Sequence, residues 1–99
     1  MKAVYKKILK YYGEGHQVHK LIEEMAELTV ALLKGDVKNI HEELADVEIM
    51  LEQIKLMKFC DKQKIEIIKL LKLNRQLKRI ENEVKICQEL KEDESSVKN

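Results

Sequence analysis

The sequence predicts an all-α fold: a helical bundle of about four helices, the last of them long, with a core completed by oligomerisation. Three observations carry this expectation. The 99 residues include no proline and only three glycines, Gly13, Gly15 and Gly35, so turn formers are scarce and long helices follow. Apolar residues recur at intervals of three and four, the period of a helix face and not of a strand. Charged residues make up 37% of the chain. Helices that share apolar seams between copies reconcile that much charge with a stable core.

The elements follow in order. The first helix is expected over roughly Lys2–Tyr12, broken by Gly13-Glu14-Gly15. The second runs from about His16 to Lys34, on the stripe Val18, Leu21, Ile22, Met25, Leu28, Thr29 and Leu32. Gly35 ends it, and Asp36 is placed to cap the next helix. The third spans about Val37–Lys58, with Ile40, Leu44, Val47, Met50, Leu51 and Ile54 on one face. Phe59-Cys60-Asp61 is a break, with Asp61 a candidate cap. The fourth helix runs from about Lys62 to Lys91. Its later part carries Leu70, Leu73, Leu77, Ile80, Val84 and Cys87 at alternating spacings of three and four, a coiled-coil seam that calls for a partner helix. One domain is expected over residues 1–91, followed by a polar tail, 92–99, read as disordered.

Several classes of protein are disfavoured. No apolar run approaches the roughly 20 residues needed to cross a bilayer, and nothing resembles a signal peptide. Cys60 and Cys87 lack a close-spaced partner, as reduced thiols in a cytoplasmic protein do. His16, His19 and His41 lack zinc-site spacing, and solvent-facing or capping roles suit them better. Lys2, Lys6, Lys7 and Lys10 with Tyr5, Tyr11 and Tyr12 fit a short amphipathic helix docked on the bundle better than an RNA or membrane contact. The basic last helix has interspersed acids and no helix-turn-helix. The expected partners therefore exclude membranes and nucleic acid polymers.

A net charge of +1 hides a sharp division. Residues 21–52 hold nine acids against two bases, and residues 62–85 hold eight bases against three acids. An acidic centre and a basic helix suit a metal site and a phosphate site. They equally suit two helices that attract each other.

The placement of the acids is more informative. Glu24 and Glu27 flank the stripe of the second helix, and Glu43 and Asp46 lie at the edge of the Val47/Met50 stripe of the third. Glu48 and Glu52 point elsewhere. Each helix thus presents a carboxylate pair spaced i, i+3 near its buried face. Such pairs repel, and bringing two of them together calls for a cation. A hard divalent ion fits, and Mg²⁺ best when phosphate and water complete the shell, with Mn²⁺ able to stand in. Solvated faces with intrahelical salt bridges would show the same spacing.

Lys20-Leu-Ile-Glu-Glu-Met-Ala-Glu-Leu28, followed by Glu42-Glu-Leu-Ala-Asp-Val47, resembles the EExxE…ExxD signature of MazG-like pyrophosphohydrolases in the all-α NTP pyrophosphatase superfamily. Fifteen residues separate Glu27 from Glu43, which suits a helix–loop–helix. Tyr12-Gly-Glu-Gly-His-Gln17 and Lys72-Leu-Asn-Arg-Gln-Leu-Lys-Arg79 also resemble the short phage and bacterial forms, so the likeness covers roughly residues 10–82. It implies Glu24, Glu27, Glu43 and Asp46 as metal ligands. Glu23 and Glu42 match the adjacent acids, and Glu23 or Glu27 would accept a proton from the attacking water. Lys72, Asn74, Arg75 and Arg79 fall where the family faces the triphosphate, and Gln17 and Lys20 precede Glu24 within reach of a nucleotide. The implied activity is Mg²⁺-dependent hydrolysis of a nucleoside triphosphate, a dNTP or non-canonical NTP, to the monophosphate and pyrophosphate. The implied assembly is a homodimer or a dimer of dimers. Two alternatives stand beside it: a non-catalytic coiled-coil interaction protein, and a nucleotide-binding sensor.

Overall fold

The computed structural model describes the backbone of residues 1–97 and the side chains of residues 1–93. It is all-α: α1 (Lys2–Tyr12), α2 (Glu14–Lys34), α3 (Val37–Ile54) and α4 (Lys62–Val97). No strand occurs among the described residues.

Two glycines set the first two corners. Gly13 has φ 90° and ψ 156°, a backbone conformation that only glycine adopts without strain. Its N–H closes α1 on the Leu9 carbonyl at 2.8 Å, and its own carbonyl accepts the Gln17 N–H at 3.1 Å. One residue therefore ends α1 and opens α2, and Gly15 is absorbed into the helix. Gly35 is left-handed at φ 69°, and its N–H bonds back to Ala31 and Leu32, a common helix stop. Asp36 follows as the cap of α3, its carboxylate accepting the Asn39 N–H at 3.3 Å. The third helix ends at Ile54, four residues short of the sequence expectation. Leu56 and Met57 donate instead to the carbonyls three residues back, Gln53 and Ile54, a tightened turn. That turn brings Met57 to 2% exposure.

The contacts divide the chain into two compact units, Met1–Asp61 and a second one that begins at Lys62. In the first, α2 and α3 form an antiparallel hairpin and α1 packs on both. The seam of the hairpin buries Gln17, Glu24 and Ala31 from α2 and Val47, Met50 and Gln53 from α3. At about 100° per residue, the apolar stripe read from the sequence is centred roughly a quarter-turn away from this seam. Ile22, Met25 and Leu32 on α2, and Leu44 and Leu51 on α3, are consequently exposed. Because the helices are antiparallel, both displaced stripes fall on the same side of the hairpin. One helix contact covers only part of a broad stripe: on α2 the line of Gln17, Glu24 and Ala31 faces inward, while on α3 Val47 and Met50 of the stripe are buried together with Gln53.

The second unit is α4, helical from Lys62 to Val97. Its heptad residues Leu70, Leu73, Leu77, Ile80 and Val84 each expose about half of their surface. The polar stretch 92–99 is helical as far as Val97, and residues 98–99 lie outside the described residues. No helix is long and apolar enough to cross a membrane among the described residues.

Candidate metal centre

The hairpin brings three of the four expected ligands together. One carboxylate oxygen from each of Glu24, Glu27 and Glu43 lies within 4.8 Å of the others. Glu24 and Glu27 are one turn apart on α2, and Glu43 faces them from α3 because the connection is only Gly35 and Asp36. Asp46 is exposed, one turn beyond Glu43 on α3. Its charge reaches Glu43, but it is not among the three that converge.

The burial is deeper than the sequence suggested. Glu24 does not flank the packed face but lies in it, at 6% exposure. Glu24 Oε2 and Glu43 Oε2 are buried without a hydrogen-bond partner among the described residues. An unsatisfied buried carboxylate oxygen is costly, and these two belong to one cluster. Burial pushes the Glu43 carboxyl above the usual carboxylate range, and Glu27 adds to this by hydrogen bonding and by its charge. The negative charges of Glu24 and Asp46 act in the same direction. Such convergence of like charge is what a bound cation relieves.

Lys20 partly offsets the charge. Its ammonium lies 3.2 Å from Glu24 Oε1 and 3.8 Å from Glu23 Oε2. The hydrogen bond to Glu24, and then the charge of that carboxylate, hold Lys20 above the usual lysine range. Glu23 itself is exposed, with 65% of its side-chain surface open, and Glu42 is exposed as well.

Gln17, expected to approach a nucleotide, is only 3% exposed. Its amide donates to Gln53 Oε1 at 2.7 Å across the hairpin, and its own oxygen lies 2.8 Å from His16 Nδ1. With Gln17 Oε1 accepting, His16 carries the proton on Nδ1. The His16 ring stacks on Tyr12 with centroids 4.9 Å apart. Gln53 was not singled out in the sequence, yet it is fully buried. Its position three residues after Met50, on the buried stripe, was the available signal. On α4, Lys72, Arg75, Gln76 and Arg79 line a shallow concavity of one helix face, and Asn74 is exposed.

No protein-family model matches the chain, and neither a curated protein nor a solved structure matches it significantly.

Proposed function

We propose that the α2–α3 cluster binds Mg²⁺, with Mn²⁺ able to stand in, and that the chain hydrolyses a nucleoside triphosphate to the monophosphate and pyrophosphate. The observation that carries this reading is the pair of buried, unpartnered oxygens, Glu24 Oε2 and Glu43 Oε2, inside a group of three carboxylates. The donor set is all hard oxygen, with no thiol or imidazole, which fits Mg²⁺ and argues against zinc. When bound, Mg²⁺ draws off charge developing on phosphate oxygens and makes a bound water more acidic. Glu24, Glu27 and Glu43 hold the cation, and Asp46 adds charge beside Glu43. Of the two candidate proton acceptors, Glu27 has an oxygen inside the cluster, while Glu23 pairs with Lys20. The resemblance of the two acidic motifs to MazG-like enzymes supports cleavage between the α- and β-phosphates. On α4, Lys72, Asn74, Arg75 and Arg79 are proposed phosphate contacts, Arg and Lys being suited to polyanions. The exposed apolar stripes of the hairpin and of α4 are proposed to pack against a second copy, giving a dimer or a dimer of dimers.

The half-exposed seam of α4 favours a second reading, a helical interaction protein without catalysis. That reading leaves the two unpartnered carboxylate oxygens unexplained.

Thermal melts and pyrophosphate release over a panel of nucleotides test the proposal together. Mg²⁺ should raise the melting temperature by mass action, and EDTA should reverse the rise. Glu43→Gln should lose both the Mg²⁺ shift and the hydrolysis while its helical circular dichroism stays intact. Wild-type turnover in Glu43→Gln refutes the site. A Mg²⁺ shift without pyrophosphate from any nucleotide indicates a sensor, and no shift at all indicates an interaction protein.

A further inference from the structure

We infer that Lys20 is a tethered counter-ion that the divalent cation displaces: its ammonium neutralises Glu24 in the metal-free protein and is released on metal binding to meet a phosphate of the substrate. This rests on the metal-site reading above and specifies how that site is regulated.

The geometry divides the Glu24 carboxylate in two. Oε1 is held by Lys20 at 3.2 Å, whereas Oε2 is buried and has no partner. The Glu24 side chain is 8% exposed and that of Lys20 46%, so the lysine reaches to the cluster from its solvent edge. Among the described residues, the ion pairs place no other base on Glu24, Glu27 or Glu43. Lys20 is therefore the base that partly offsets the charge of the three convergent carboxylates without metal.

A divalent cation on Glu24 Oε2 changes that balance. It neutralises the cluster more completely than one ammonium, and it repels Lys20 at short range. The lysine head is a compact charge on a flexible four-carbon stem and already borders water, so moving it aside requires no repacking. Glu23, 3.8 Å away, holds it only weakly, as exposed pairs do. A freed ammonium at the rim of the cluster would be available to a phosphate of a substrate held there. A residue that opposes metal binding in the free protein thereby favours substrate binding once metal is present.

The sign of the effect makes this testable, because a residue that merely oriented Glu24 would help metal binding. The experiment is calorimetric titration of the full chain with Mg²⁺ alone, no nucleotide present. Lys20→Met should bind Mg²⁺ about tenfold more tightly than wild type, from removal of one nearby positive charge, and Lys20→Arg should stay close to wild type. Without metal, Lys20→Met should melt below wild type, and saturating Mg²⁺ should close the gap. Its KM for a triphosphate should rise. Lys20→Gln provides the same reading if the methionine variant folds poorly. Wild type that binds Mg²⁺, with Lys20→Met or Lys20→Gln binding equally or more weakly, overturns this inference and leaves the metal site standing. Wild type that binds no divalent cation overturns both.

Discussion

Replacing Gln53 with leucine should destabilise the protein, and replacing Gln17 with leucine as well should restore most of the loss. The two amides meet across the α2–α3 seam at 2.7 Å, with Gln53 at 0% and Gln17 at 3% exposure. Leucine is close to glutamine in volume, so no large cavity opens. What Gln53→Leu removes is the acceptor of the Gln17 amide, which is then buried without that partner. Leaving one buried donor unsatisfied costs about 1–3 kcal/mol, whereas replacing both partners with apolar groups of similar shape is nearly neutral. The double variant should therefore recover to within about 1 kcal/mol of wild type, with a coupling energy of about 1–3 kcal/mol between the sites. Urea unfolding in EDTA at one fixed protein concentration measures this, the concentration being held because association shifts apparent stability. The pair also bears on the cluster, since Gln17 lies about two turns before Glu24 on the buried line of α2. A polar pair that must meet specifies the axial register of the hairpin, and an apolar pair does so less strictly. The double variant should thus be stable yet bind Mg²⁺ more weakly than wild type. A double variant whose loss equals the sum of the single losses refutes the reasoning, as does a Gln53→Leu protein at least as stable as wild type.

Two further outcomes follow from the same features. Burial and the neighbouring carboxylates raise Glu43, so between the ordinary glutamate range and the raised value the metal-free folded chain binds more proton there than the unfolded chain. That contribution is complete below the ordinary glutamate range and is lost as pH rises through the raised value. The melting temperature in EDTA should therefore fall across this window, and Glu43→Gln should remove the fall; a wild-type melting temperature that climbs across it contradicts the assignment. For assembly, burying a leucine or methionine side chain is worth roughly 1.5–3 kcal/mol, so a charge within either apolar stripe should weaken self-association. Leu77→Glu tests the α4 seam and Met25→Glu the hairpin face by sedimentation at micromolar concentration. A wild-type chain that sediments as an active monomer refutes both.

Local rules made most of the fold legible from the sequence. Glycine scarcity, the Gly35–Asp36 stop and cap, and the three-and-four spacing specify four helices whose boundaries mostly lie within a few residues of those observed, because these signals act within one turn of chain. The carboxylates of the centre were legible as well. The two-residue connection makes α2 and α3 neighbours, and three of the four expected acids, Glu24, Glu27 and Glu43, converge there, while Asp46 stays exposed one turn away.

Tertiary packing decided which face of each helix turned inward. Sequence periodicity marks an apolar stripe but cannot say which part of a broad stripe its own neighbour covers. Here the neighbour took the line of Gln17, Glu24 and Ala31, leaving Ile22, Met25 and Leu32 exposed. That quarter-turn placed Glu24 in the seam rather than beside it, gave Gln17 and Gln53 each other as partners, and left two carboxylate oxygens buried and unpartnered. The physical reason is that helix rotation in a hairpin is set by the whole interface. Small and hydrogen-bonded residues allow close approach along one line, and no single helix carries that information alone.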